Sequence, residues 1–174
     1  MTNINRAVKL SQDMRRVWME HVWWTRNVII GIISNLPGNA EYTARLLQNP
    51  ADMANVFAPN FGVFPRQQFI DLFSTHLKQG AAIVEAAKAG NMDLVETLQV
   101  QWHQNSDQIA AMFATLSPCY RFEEVRCMMY THLRLTTDEA VQNLSGQYAE
   151  EVKTFDKIQA EALMMADYFT SGIV

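Results

Sequence analysis

One stop and one start with almost nothing between them fixes part of this chain's topology. Residues 65–89 and 92–116 each carry a seam at helical spacing. The first runs through Phe69, Leu72, Phe73, His76, Gly80, Ile83 and Ala87. The second runs through Val95, Leu98, Trp102, Asn105, Ile109, Met112 and Leu116. Between them stand Gly90, suited to the left-handed position past a helix C-terminus, and Asn91, suited to cap the next helix. Asp93 then lies in a first turn, against the positive end of the helix dipole. Two helices joined so tightly turn back on one another, so the chain is expected to contain an antiparallel helical hairpin.

The rest of the sequence also reads as helix. Residues 7–35 carry the seam Met14, Trp18, His21, Thr25, Val28 and Ile32, with Val22, Ile29 and Ile33 flanking Arg26, and stop at Leu36-Pro37-Gly38. Residues 41–48 and 51–57 read as short helices, and 58–64 as a loop long enough to cross an end of a bundle. A shorter helix is expected over 122–133. The capping box Thr136-x-x-Glu139 then predicts the start of a last helix running to residue 170. Its seam would pass through Val141, Leu144, Tyr148, Val152, Phe155, Gln159, Leu163 and Ala166, with Gly146 marking a bend or a close approach. Seven glycines and five prolines are too few for an all-β fold, and no strand pattern competes. The expectation is an all-α four-helix bundle with short accessory helices, one domain over residues 1–174. Its long helices, roughly 25 to 35 residues each, would be about 40 to 50 Å long.

Several function classes are disfavoured. The net charge is −4 and no basic stripe is interleaved with stacking aromatics, so no nucleic-acid partner is expected. Met1 to Leu10 lacks the apolar core and cleavage site of a signal peptide. Val28–Ile33, the longest apolar run, is far short of a membrane span, so no membrane partner is expected either. Cys119 and Cys127 stand two helical turns apart if on one helix, too far to bond. Free thiols in a core would fit the cytoplasm. Trp23 and Phe57, if exposed, would offer a contact for a homo-oligomer.

The informative feature is where the polar residues fall. His21, His76, Asn105 and Asp156 lie near the middles of the four expected long helices, where an antiparallel bundle would bring them to one level. Buried polar groups left without partners cost about 1–3 kcal/mol each, so something must satisfy them. Three arrangements would do so. His21, Thr25, His76, Asn105 and Asp156 could bond one another, with Arg26 paired to a carboxylate, and only set helix register. His21, His76 and Asp156 could hold one divalent metal, zinc or iron. Alternatively the layer could line a cavity for a small polar or anionic ligand, bound through Arg26, Thr25, Asn105 and His132.

Familiar metal patterns fail. No histidine has a Glu three residues before it, as a ferritin-like di-metal site requires, and His-Glu-x-x-His is missing. A haemerythrin-like site needs more histidines than the four present. Any metal site would be mononuclear. His103 falls off its helix seam and reads as exposed. Cys127, Met128 and His132 could suggest copper, but the methionines sit at core spacing. No nucleophile motif or phosphate loop accompanies these residues.

Several short runs carry a resemblance. They are His21-Val22-Trp23-Trp24-Thr25-Arg26, Arg45-Leu46-Leu47-Gln48-Asn49, Ala86-Ala87-Lys88-Ala89-Gly90-Asn91, Trp102-x-x-Asn105-x-Asp107, His132-Leu133-x-Leu135-Thr136 and Met165-Ala166-Asp167. In that order, over nearly the whole chain, they resemble a family of short, functionally uncharacterised bacterial proteins common in spore-forming Firmicutes. Some members carry inherited names such as acetylglutamate kinase or glycosyltransferase. Neither activity is expected here. Such a kinase needs an α/β fold with glycine-rich phosphate loops, and a glycosyltransferase needs a nucleotide-sugar domain. The resemblance adds Asp107 to the candidate ligand-binding residues, although periodicity places it on an exposed face. Ser106 and Gln108 depart from the family's pattern.

Overall fold

The computed structural model describes residues 3–174. Residues 1 and 2, the start of the stretch tested for a signal peptide and of the expected domain, lie outside the described residues. The helices are α1 (Asn3–Ser34), α2 (Asn39–Leu46), α3 (Asn49–Phe57), α4 (Arg66–Lys88), α5 (Met92–Leu116), α6 (Phe122–Leu144) and α7 (Tyr148–Ser171). A 3-10 turn, Ala58–Asn60, follows α3. The described residues contain no strand, and no helix among them is long and apolar enough to cross a membrane.

Three helix ends share one device. Asn35, Gly90 and Gly146 adopt φ of 52°, 74° and 71°. After each, the next backbone N–H reaches five residues back: Leu36 to Gly31, Asn91 to Ala86, and Gln147 to Gln142. This bond satisfies carbonyls that the helix end would otherwise orphan. At Gly90 it closes the expected α4–α5 hairpin, and Asn91 Oδ1 accepts from the Leu94 N–H to cap α5.

At Gly146 it corrects the expectation. Gly146 ends a helix and does not bend one. Thr136 starts nothing, because α6 runs unbroken from Phe122 to Leu144. The Thr136-x-x-Glu139 box fails because the Glu139 carboxylate is drawn across the bundle to Arg26. The described residues therefore form five long helices where four were expected.

The long helices pack in the cyclic order α1, α4, α5, α6, α7 and back to α1, and α1 also touches α6 across the ring. Residue pairings give the directions. Trp102 on α5 bonds the His76 carbonyl on α4, and Asn105 bonds that of Leu72, so α4 and α5 are antiparallel. Asp107 meets Arg126 and Gln99 meets Thr137, so α5 and α6 are antiparallel as well. Arg15 meets Asp167 and Arg26 meets Glu151, giving the same sense to α1 and α7. Across the ring, α1 and α6 run parallel, touching through His21–His132 and Arg26–Glu139. Among successive helices of the ring, α1 and α4 are the pair that runs parallel in the described residues. Trp18 lies against Phe73, and Lys88 bonds the Ile32 carbonyl. The α2–α3 segment supplies the crossover that a parallel pair requires.

The interior has two unlike ends. One is aromatic: Trp18, Phe57, Phe69, Phe73, Phe113 and Phe169 pack in one cluster. The other is aliphatic, built on Val28, Ile29, Leu77 and Val84. Phe57 is thus fully buried and cannot meet a second copy, whereas Trp23 is exposed. Both cysteines are free and exposed, outside the core where they were expected.

Candidate metal centre

Three imidazoles meet where the aromatic and aliphatic ends join. His21 on α1, His76 on α4 and His132 on α6 are 2–3% exposed. Their ring centroids are 5.5 to 6.3 Å apart. One ring nitrogen of each lies within 4.8 Å of those of the other two. Tetrahedral ligands at metal–nitrogen distances of about 2.1 Å stand about 3.4 Å apart, so side-chain adjustments of about 1 Å would complete a metal's coordination.

The hydrogen bonds outside this triangle decide which nitrogen faces in. Asn49 Nδ2 donates to the Val17 carbonyl at 2.9 Å, which turns its Oδ1 to His21 Nδ1 at 3.1 Å. Asn105 Nδ2 donates to the Leu72 carbonyl at 3.1 Å, leaving its Oδ1 free for His76. The atoms still unpaired there are Asn105 Oδ1 and His76 Nδ1, and the Asn105 side chain is the one that favours a proton on His76. The Glu161 carboxylate stands 3.4 Å from His132 Nδ1. All three outer neighbours are acceptors, so hydrogen on Nδ1, with the Nε2 lone pair left for a metal, is the tautomer these surroundings favour.

Burial keeps His21 and His76 uncharged. Desolvation, and then repulsion by His132, pushes His21 down to about 3. The same causes, with His21 added, hold His76 well below its ordinary value. Neutral imidazole is the form that binds a metal. Three imidazole lone pairs brought to one point would repel one another, and no hydrogen bond to the protein satisfies them there. A shared cation satisfies all three at once.

The triangle forms one end of a cavity of about 100 Å³ whose other walls are almost wholly apolar, among them Val28, Ile29, Leu77, Val84, Trp102 and Ala140. Gly80 helps keep this space, since a Cβ there would lie 3.2 Å from the Trp102 ring.

The remaining expected residues fall as follows. Asn105 supports His76, and Thr25 lines the cavity while its hydroxyl donates to the His21 carbonyl at 2.8 Å. Asp156 is exposed and outside the cluster. The buried positions of α7 include Glu151, Thr154, Phe155, Ile158, Glu161 and Ala162. Asp156 sits on the opposite face, and the inward carboxylate near the histidines is Glu161.

Arg26 is not free to bind an anion. It donates to Glu139 at 2.9 Å and to Glu151 at 2.8 Å, and its guanidinium lies 4.4 Å over the Phe155 ring. Burial, opposed by Arg26 and reinforced by Glu151, pushes Glu139 up to about 8. Asp107 sits away from the histidines, accepting from Arg126 at 3.1 Å and Tyr130 at 3.0 Å. His103 is half-buried and bonds the Gln99 carbonyl at 2.8 Å.

Sequence reasoning missed Asn49, Glu139, Glu151 and Glu161. Asn49 begins α3 with its side chain turned to α1. A comparison of the chain with protein-family models, curated proteins and solved structures found no match.

Proposed function

We propose that this protein binds one divalent metal ion, zinc or iron, through Nε2 of His21, His76 and His132. The observation that carries the reading is the arrangement of the three imidazoles. All three rings are buried, one nitrogen of each lies within 4.8 Å of one nitrogen of the other two, and acceptors stand behind them: Asn49 Oδ1 bonds His21 Nδ1, and a Glu161 oxygen lies 3.4 Å from His132 Nδ1. Metal-bound histidines almost always donate their other N–H to a carboxylate or carbonyl, which fixes the ring and raises its basicity.

Three protein ligands leave a coordination position open, and here it faces the cavity. Structural zinc sites are closed by four protein ligands, whereas catalytic ones keep a place for water or substrate. The open position therefore supports a site that acts on or senses a small molecule. The quoted sequence runs include His21, Asn49, Asn105 and His132, so we place the chain with the bacterial proteins it resembles and expect this cluster to be their shared feature. We assign it to the cytoplasm, where exposed thiols such as Cys119 and Cys127 stay reduced.

The test is elemental analysis of untagged protein purified without chelator, beside His21→Ala. Near-stoichiometric zinc or iron in the wild type, lost in the variant, is the expected result. Equal trace metal in both, with no uptake from added zinc or iron(II), would leave the three imidazoles as a register device and end the proposal.

A further inference from the structure

The cavity next to the histidines has a chemistry that narrows what could reach the metal, and the argument rests on the metal reading above. The lining follows α4 from His76 to Ala87 and α6 from His132 to Leu144, about 16 to 18 Å of helix. It reaches the surface beside Met92 and Val141, which are 63% and 52% exposed. An apolar passage thus joins the end of the bundle to the imidazoles.

Beyond the histidines, a hydroxyl lining that passage has no partner. Thr136 is 6% exposed and lies on α6 one turn beyond His132. Its Oγ1 is buried without a hydrogen bond, whereas the other threonine beside the histidines, Thr25, has spent its hydroxyl on a backbone carbonyl. A buried hydroxyl that bonds nothing in the protein is placed to bond a ligand.

The charges add a second constraint. A divalent ion held by the three imidazoles would bring positive charge to the end of an apolar cavity, where uncompensated charge is expensive. A ligand with a single anionic head offsets it at the open position. Arg26, already held by Glu139 and Glu151, offers no site for a second.

We propose that the cavity binds a short-chain aliphatic monocarboxylate whose carboxylate occupies the open metal position, with Thr136 donating to its second oxygen and the tail lying along the apolar passage. A cavity of about 100 Å³ is smaller than the roughly 150 Å³ known to hold benzene, which sets the tail at about four to six carbons.

The experiment uses cobalt(II)-loaded protein and reads its visible spectrum. If one equivalent of cobalt gives no ligand-field bands, the metal reading fails and this inference falls with it. Given the bands, hexanoate should shift them saturably, while hexanol and hexylamine should not, and acetate should bind at least tenfold more weakly. Thr136→Val should keep the cobalt spectrum and bind hexanoate about tenfold more weakly. Ala140→Leu, which fills the passage, should weaken hexanoate by more than tenfold, with Ala87→Leu, near the mouth, as the milder plug. Cobalt bands that hexanoate leaves unmoved, or hexanoate affinity unchanged in the Thr136 and plug variants, would overturn the proposal and leave the metal site standing.

Discussion

Raising the pH from about 6.5 to about 8 should destabilise this fold through a single buried proton on the Glu139–Glu151 pair. Arg26 brings one positive charge to two carboxylates whose side chains are 2% and 3% exposed. One of the two is better off neutral, and Glu139 is the one pushed up, from 4.5 to about 8. The unfolded chain releases this proton above about pH 4.5 and the folded chain keeps it to about pH 8. Stability from the protonated pair is therefore fully present below about 4.5 and lost as pH rises to 8. At about 1.4 kcal/mol per pKa unit the whole loss is about 5 kcal/mol. Arg26 is 17% exposed, and water reaching it reduces the realised loss to about 3 kcal/mol. About 1–2 kcal/mol of that falls between pH 6.5 and 8. The assay is urea unfolding of chelator-treated protein across this range, beside Glu139→Gln. The amide keeps an oxygen for Arg26 and offers an N–H to Glu151 in place of the carboxyl proton, so the variant should lose most of the slope. Identical slopes in the two proteins would refute the reasoning.

Other outcomes follow from the same contacts. Glu161→Gln should weaken cobalt binding about 10- to 100-fold by removing the carboxylate behind His132, measured by competition with a chelator; unchanged affinity would mean that Glu161 does not support the metal ligand. Arg26→Met leaves the buried Glu139–Glu151 pair, with its one negative charge, without a cation and should cost about 3–5 kcal/mol near neutral pH in urea unfolding, with a loss below about 1 kcal/mol counting against a buried ion pair. Gly172→Ala would set a methyl 2.1 Å from the Tyr120 ring and should lower stability by about 1–3 kcal/mol, visible as a reduced Tm; a wild-type Tm would show that the tyrosine moves aside freely. In chelator-treated protein His21 and His76 are held neutral in the fold but take up protons when unfolded below about pH 6.5. Stability should therefore fall as pH drops from there, by up to about 1.4 kcal/mol per unit for each histidine; a flat urea midpoint between pH 6.5 and 4.5 would contradict their burial.

The helical class and the α4–α5 hairpin were legible because Gly90 and Asn91 are local devices, set by backbone conformation and capping within a few residues. The same device at Gly146 was misread. Thr136 and Glu139 have the composition of a capping box, and nothing local reveals that Arg26, far away in sequence, takes the carboxylate. That one error carried forward. A last helix phased from Thr136 puts Asp156 at mid-length, whereas α7 begins at Tyr148 and turns Glu161 inward. His21 and His76 were legible from seam and level, because a buried imidazole in the middle of an apolar stripe demands a partner. His132 stood among the ligand-binding candidates but outside the metal set, its helix being expected to end at residue 133, whereas α6 continues to Leu144. Asn49 could not be found by periodicity, since it enters the centre from the start of a short crossover helix.

The central claim is that three Nε2 atoms share one metal. It is tested most directly by anomalous scattering from crystals of metal-loaded protein, recorded on both sides of the metal's absorption edge. The account predicts a single peak inside the triangle of His21, His76 and His132, about 2.1 Å from each Nε2, with a fourth position facing the cavity. A peak held by Asp107, Asp156 or the cysteines, with nothing at the three imidazoles, would contradict it.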